Sequence, residues 1–444
     1  MKTVVSQRAL FWIWFPLALS FTLMMLEAPT TNAVLARFAE PSVQIAGFGV
    51  ALGLSLLIES PVIMLLATAI ALVSGRESFF AVLRFVLTLI AGLTALTALI
   101  AFTPLYDLIA FRLLGLPERV AQVGRVAMQV MLLWTAAIGW RRFLQGVLVR
   151  YGRAQFVSWG TAIRLVSITS VGIGLLWWSQ LPGAVVGACM VMAGVLIEAL
   201  MATLFALPLL RERVLSHSEA TTLSQRAIWK FHLPLAGTTL LTLLAHPLTT
   251  AALARLPQPE IAIAAWQVVF GTLLAFRSWG LALQEASVAA LQHHTPMPTL
   301  NAFAHKVAVG TTIALFVLAF TPLARLFSER VLALQPELAA PTVLGLQACL
   351  PLPALTAYGS YLRGVLIYAR LTPAVYRGMA LNLAVNALGL GVGISIARAL
   401  QVSSAEASLL VAVAAFQGAA LAEVAYLYRA SAYAVPNSRA QEAS

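Results

Sequence analysis

The chain is predicted to be an all-α membrane protein, twelve transmembrane helices arranged as two parallel six-helix bundles, and three observations predict it. Hydrophobic residues make up 61% and charged residues 10% of the 444 positions, with a mean hydropathy of +0.90, whereas soluble domains run at roughly 45–50% and about 25%. Long apolar runs recur from end to end, each able to cross a hydrocarbon core of roughly 30 Å as a helix. The chain also repeats itself. Pro16 to Arg37, PLALSFTLMMLEAPTTNAVLAR, returns 218 positions later (16 to 234) as PLAGTTLLTLLAHPLTTAALAR, with half of the residues identical. The same spacing maps Gly146-Val147-Leu148 onto Gly364-Val365-Leu366 and Gly160 onto Gly378.

The first half gives spans at Phe11 to Leu35, Val43 to Val73, Phe79 to Phe102, Val120 to Leu148, Ala154 to Trp178 and Gly183 to Leu209. The second gives Trp229 to Leu253, Ile261 to Leu291, Phe303 to Phe320, Pro341 to Tyr368, Val375 to Ala397 and Ala407 to Tyr428. The first run carries Pro16, Glu27 and Pro29 and exceeds the roughly 7–15 apolar residues of a signal peptide, so it counts as a span. Uniform apolarity favours helices over barrel strands, which alternate in segments of about ten residues. Gly47, Gly49 and Gly53 in the second span, and Gly389, Gly391 and Gly393 in the eleventh, suit close helix packing. Trp12, Trp14, Trp177, Trp178 and Trp229 lie at span ends, as interfacial aromatics do.

The loops sort by charge. Lys2, Arg8, Arg76, Arg150, Arg153, Arg211, Arg213, Arg226, Lys306, Arg370, Arg429 and Arg439 share one face, which the positive-inside rule makes cytoplasmic together with both termini. The expected location is the inner membrane. Residues 1–210 form the first lobe, 211–225 a cytoplasmic linker, and 226–444 the second lobe with a short tail. Six spans per half is an even number, so the repeat is parallel and its pseudo-two-fold axis runs along the membrane normal, which puts a transport pathway between the halves. A duplicated structural protein of the membrane is the alternative.

The net charge of +12 does not point to nucleic acid, because the bases are scattered in short loops and the aromatics sit in apolar spans. Cys189 and Cys349 lie in apolar runs without metal-ligand spacing. There is no P-loop, no Gly-x-Ser-x-Gly and no His-Glu-x-x-His, so neither enzymatic activity nor a cofactor is expected. The driving force is then an ion gradient, the substrate's own gradient, or the membrane potential.

Charges inside spans carry the functional expectation, since each costs at least ~2.5–3.5 kcal/mol at the bilayer centre and should face protein or a wet cavity. Glu59 and Arg277 occupy equivalent places in the second and eighth spans with opposite signs, and are expected to line opposite walls of a central cavity; a permanent structural ion pair within one lobe or at the lobe seam is the alternative. Arg164 corresponds to Asn382, and Gln145 to Arg363. With Glu59, Arg277, Arg164, Arg363 and Asn382 as substrate-binding residues, the guanidinium groups offer forked hydrogen bonds to a carboxylate or phosphate. Arg141 and Arg142 fit the positive-inside rule extended one turn into the helix. Glu27, two residues before Pro29, and His246, just before Pro247, are candidates for coupling to an ion, proton or sodium. Glu198 and Glu423 recur in similar settings without an assigned role, and His293 and His294 read as a solvated loop pair.

The proline-rich first span, the Glu59-Ser60-Pro61 break in the second and the stretch PLPALTAYGSYLRGVLIYARLTPAVYRGMALN resemble the progressive ankylosis protein family. More broadly, two six-helix bundles resemble the multidrug and toxin extrusion (MATE) type exporters and the lipid-linked oligosaccharide flippases of the same superfamily. The resemblance implies a V-shaped pair of lobes, alternating access, and a monomer in the lipid bilayer. For the narrower family it also implies export of a small anion such as citrate, nucleotide or pyrophosphate. Drug-exporting relatives usually carry an aspartate in the first span where this chain has Glu27, and no span contains Asp. An ion-coupled multidrug antiporter and a flippase for a lipid-linked precursor are the alternatives.

Overall fold

The computed structural model describes residues 7–153, 155–216, 223–292, 295–369 and 371–441. Lys2, Arg370, His293 and His294 lie outside the described residues, as do positions 217–222 of the expected linker. The described residues are helical, without strands. Nine helices among them are long and apolar enough to cross a membrane: Gln7–Leu35, Pro41–Leu72, Arg76–Phe102, Gln155–Trp178, Gly183–Val214, Pro259–Leu291, Met297–Phe320, Thr372–Ala399 and Ala405–Ala432. Two more spans are bent pairs, Glu118–Val130 with Trp134–Arg150 at 45° and Pro336–Ala348 with Leu352–Tyr368 at 46°. The seventh segment is Gln225–Leu243 followed by Ala245–Leu253. These are the twelve expected segments in the expected order, and the chain is a multi-pass membrane protein.

The repeat is written into the helix breaks. The first and seventh spans are interrupted at Leu26 and Leu244, the second and eighth at Met64 and Ala282, and the fourth and tenth at 131–133 and 349–351, each pair 218 apart (26 to 244). Proline accounts for the first of these pairs. Pro29 and Pro247 have no N–H for the carbonyl four residues earlier, so the helix opens one turn before each ring. The second and eighth spans also start alike: Glu40 and Gln258 take left-handed backbone (φ 52° and 50°), and a proline at the first helical position follows each.

Packing divides the chain into two compact units that cut across the halves of the repeat. One contains Val34–Ala251; the other contains residues up to Ala33 together with Ala252–Ser444. The boundary expected at 211–225 separates the two copies in sequence, while the packing units exchange their opening helices.

Within the Val34–Ala251 unit, the seventh span lies on the second at Gly53, where a Cβ would come within 2.9 Å of His246 Nδ1. His232, further up the seventh span, is buried and places Nε2 3.0 Å from the Pro61 carbonyl and Nδ1 2.8 Å from the Thr68 hydroxyl. These groups flank the break at Met64, so the seventh span caps the opened helix of the second.

Within the other unit, the first span lies on the eighth in the same manner. Trp14 Nε1 donates to the Trp279 carbonyl at 2.9 Å, the Thr22 and Ser278 hydroxyls meet at 2.9 Å, and Asn32 Nδ2 donates to the Gln267 carbonyl at 3.4 Å. A Cβ on Gly271 would stand 3.0 Å from Ala28 Cβ. Trp14 with Trp279 and His232 with Pro61 are equivalent pairs, and so are Ala28 with Gly271 and His246 with Gly53. Because lipid tails are as apolar as the side chains, such close small-residue crossings and interhelical hydrogen bonds supply the cohesion.

Candidate functional site

Each unit encloses one polar cluster inside its helices. In the Val34–Ala251 unit the hub is Glu198 on the sixth span, completely buried. Its Oε2 accepts from Arg141 Nη1 at 2.5 Å and Arg164 Nη1 at 3.5 Å. Its Oε1 accepts from Gln145 Nε2 at 3.1 Å and the Thr161 hydroxyl at 3.5 Å. A carboxylate with four donors can be carried into the apolar interior because its lone pairs are occupied and two guanidinium charges oppose its own. Gly160 lies against it: a Cβ there would be in ordinary contact with Glu198 Cγ at 3.4 Å. Glu59, 4% exposed, lies in the field of Arg141, Arg142 and Arg164, and its Oε2 has no hydrogen-bond partner among the described residues. The cluster therefore holds three guanidinium groups and two carboxylates.

In the other unit the hub is Glu423 on the twelfth span. Arg363 Nη1 stands 3.6 Å from its Oε1, and Asn382 Nδ2 donates to its Oε2 at 2.9 Å. Arg277 is held differently, with Nε donating to the Thr356 hydroxyl at 2.6 Å and the guanidinium 5.3 Å from the centre of the Phe416 ring. Arg363 and Glu423 are the charged side chains whose fields reach it. This cluster has two guanidinium groups and one carboxylate. Asn386, one turn beyond Asn382, is fully buried with neither amide atom hydrogen-bonded among the described residues.

The two clusters are the same construction. Gln145 and Arg363, and Arg164 and Asn382, are repeat equivalents that reach the glutamate of the last helix of their half. The Glu423 cluster carries one guanidinium more than it has carboxylates among the described residues.

No protein-family model and no curated protein matches the chain in sequence. In structure it is similar to a multidrug resistance MATE family transporter of the MOP superfamily in its inward-facing conformation, with a TM-score of 0.72 and 11% identity over 95% of this chain and 98% of that one. It is also similar to the lipid II flippase MurJ in an inward closed conformation, with a TM-score of 0.68 and 13% identity over 94% and 87%. A third likeness, with a TM-score of 0.61 and 13% identity over 97% of each chain, is to a MOP superfamily transporter from Pyrococcus furiosus described as having a binding pocket of reverse polarity. The chain has the MATE-type transporter fold. At these identities the fold is what is shared, and side-chain roles rest on the geometry of this chain.

That geometry distributes the expected residues as follows. Glu59 and Arg164 come together in one unit, and Arg277, Arg363 and Asn382 in the other. The charged side chains in whose fields they lie are Arg141, Arg142 and Arg164 for Glu59, and Arg363 and Glu423 for Arg277. Arg141, read from its position as a loop-flanking base, is instead 3% exposed and the shortest partner of Glu198. Glu27 is half-buried at the first residue of the helix after the Leu26 break, and His246 lies against Gly53; the two belong to different units. Sequence reasoning gave Glu198 and Glu423 no role because their spacing, 225 (198 to 423), departs from 218. The signal was the matching setting, GVLIEALM and GAALAEVAY, in the last span of each half.

Proposed function

We infer that the protein is a secondary active transporter working by alternating access, and that it exports a small organic or phosphorylated anion. The observation that carries this reading is the Glu423 cluster, where two guanidinium groups, Arg277 and Arg363, share one carboxylate among the described residues. A charge in a low-dielectric interior is costly unless opposed, and an anionic substrate supplies the missing opposite charge. Arg277 is the side chain best placed to meet it, since a hydroxyl and an aromatic face hold it in position and leave both terminal nitrogens for a forked contact with a carboxylate or phosphate. On this reading Glu59, Arg164, Arg363 and Asn382 set the charge and orientation of the two clusters, and Glu27 and His246, each at the break of an opening helix, serve ion coupling. The resemblance to the progressive ankylosis family supports the same substrate class, and the Pyrococcus furiosus transporter, whose reverse-polarity pocket is described as suggesting a different function, supports a change of cargo on this fold. The distribution of Lys and Arg supports cytoplasmic N- and C-termini in an inner membrane.

The experiment is uptake into proteoliposomes of labelled citrate, a nucleotide and pyrophosphate beside a cationic dye. Wild-type protein is expected to move at least one anion and not the dye, and Arg277→Gln to reduce that flux by roughly ten-fold or more, the weight of one charge-assisted contact of about 1.5–3 kcal/mol. Dye transport without anion transport would overturn the reading in favour of a multidrug antiporter. A lipid-linked precursor flippase is the second reading, favoured by the likeness to the lipid II flippase.

A further inference from the structure

Beyond transport, the unit built from the first span and the second half carries an apolar groove of about 700 Å³ that the substrate reading does not use. The first, eighth and ninth spans line it, with Phe327 of the Leu326–Val331 segment beside them. The Trp14 hydrogen bond to the Trp279 carbonyl fixes the first span to the eighth at one end of the groove, and the Trp14 ring meets Phe303 of the ninth at 5.6 Å. Gly310 leaves the middle open, for a Cβ there would have no atom within 4 Å. From Lys306 to Leu318 the lining of the ninth span extends roughly 18 Å along its axis, slightly more than the ~15 Å half-thickness of a hydrocarbon core.

The groove has one charge, and it sits at the end. Lys306 is exposed, on the side of the chain's N-terminus, and its ammonium donates to the Gln7 side chain. The repeat supplies a contrast. In the Val34–Ala251 unit the position equivalent to Lys306 is Thr88, and Phe85, the counterpart of Phe303, packs its ring 4.8 Å from that of Trp229. At this register the lysine belongs to the second copy, where it stands as a headgroup partner at the mouth of a slot as long as one acyl chain.

We propose that this groove binds one acyl chain of an anionic phospholipid from the leaflet on the N-terminal side, with the lipid phosphate on Lys306. The bilayer itself is the source. The chain lies along the Gly310 opening, and the ammonium exchanges part of its contact with Gln7 for the phosphate. Selectivity for anionic over zwitterionic lipid comes from the single lysine, so a preference of about five-fold is expected.

The test is native mass spectrometry of the full chain, purified in detergent and exchanged with equal amounts of phosphatidylglycerol and phosphatidylcholine. Wild-type protein is expected to retain phosphatidylglycerol about five-fold over phosphatidylcholine. Lys306→Gln should equalise the two lipids, and Gly310→Phe, at an exposed position where an added Cβ meets no atom within 4 Å, should lose most of both. Equal retention by all three proteins would overturn the proposal. So would a dimer free of lipid, which assigns the groove to a second copy, or retention of an added isoprenyl phosphate and not of phosphatidylglycerol, which assigns it to a lipid-linked substrate. The anion-flux assay on Arg277→Gln is independent of all these outcomes, so either reading can fail without the other.

Discussion

Glu198 shows what a single carboxylate can organise when it is fully enclosed. Two guanidinium groups, an amide and a hydroxyl converge on its two oxygens, so removing it takes from buried Arg141 the carboxylate that it contacts at 2.5 Å. Breaking a buried pair by deleting one partner costs about 3–5 kcal/mol, and Glu198→Ala is expected to lower the thermal unfolding midpoint accordingly in detergent. Glu198→Ala combined with Arg141→Met should recover part of the loss, because the double change removes charge from both sides. A single variant as stable as wild type would show that water reaches the cluster. The sequence identified the costly residues but not their partners: Glu59, Arg164, Arg277 and Arg363 stand out because a charge inside an apolar run is visible in one dimension. Which charge meets which depends on helix rotation and on the bend at 131–133, and neither is written in any one segment. Arg141 illustrates this, since its position near a span end looks like an interfacial base and its burial follows only from the turn of the fourth span toward the sixth.

At the scale of the helix, the exchange of opening spans depends on a small residue at each crossing. Gly53 admits the His246 ring, and Gly271 admits Ala28. Adding side-chain volume at Gly53 pushes two helices apart along a contact that has only van der Waals packing and a few hydrogen bonds to hold it. Gly53→Val is therefore expected to destabilise by about 1–3 kcal/mol, as overpacking does, and His246→Ala in the same chain to restore most of the stability by vacating the space. Denaturation of the two variants by a graded detergent series measures the coupling; purely additive effects would mean that the two residues do not share the crossing. Here the sequence was more informative. Prolines at 29 and 247 marked the breaks in the first and seventh spans, and the 218 spacing implied that whatever happens in one half happens in the other. The break at Ala282 had no proline to announce it and was legible only through its equivalence to Met64.

At the scale of the molecule, duplication with exchange makes each half incomplete by itself. Residues 34–216 leave bare the surface at Gly49 and Gly53 that the seventh span covers, and they leave the Pro61 carbonyl without the His232 side chain that meets it. Residues 252–441 leave the Trp279 carbonyl, beside the Ala282 break, without Trp14. A carbonyl at a helix break has no water to turn to inside a bilayer, so each half is driven toward any helix that can supply a donor and a close fit. It follows that chains cut within 217–222 and produced separately should aggregate or be degraded. Produced together, the same two halves should co-purify as one particle, because the first and seventh spans can still cross to their partners. Size-exclusion chromatography of the co-expressed pair, with a tag on one half only, reads the result directly. Independent monodispersity of either half would mean that its six helices are self-sufficient and that the exchanged spans are peripheral. Co-purification weakened by Trp14→Phe together with Gly53→Val, but not by Glu198→Ala, would place the adhesion at the crossings and leave the buried charges to the cargo.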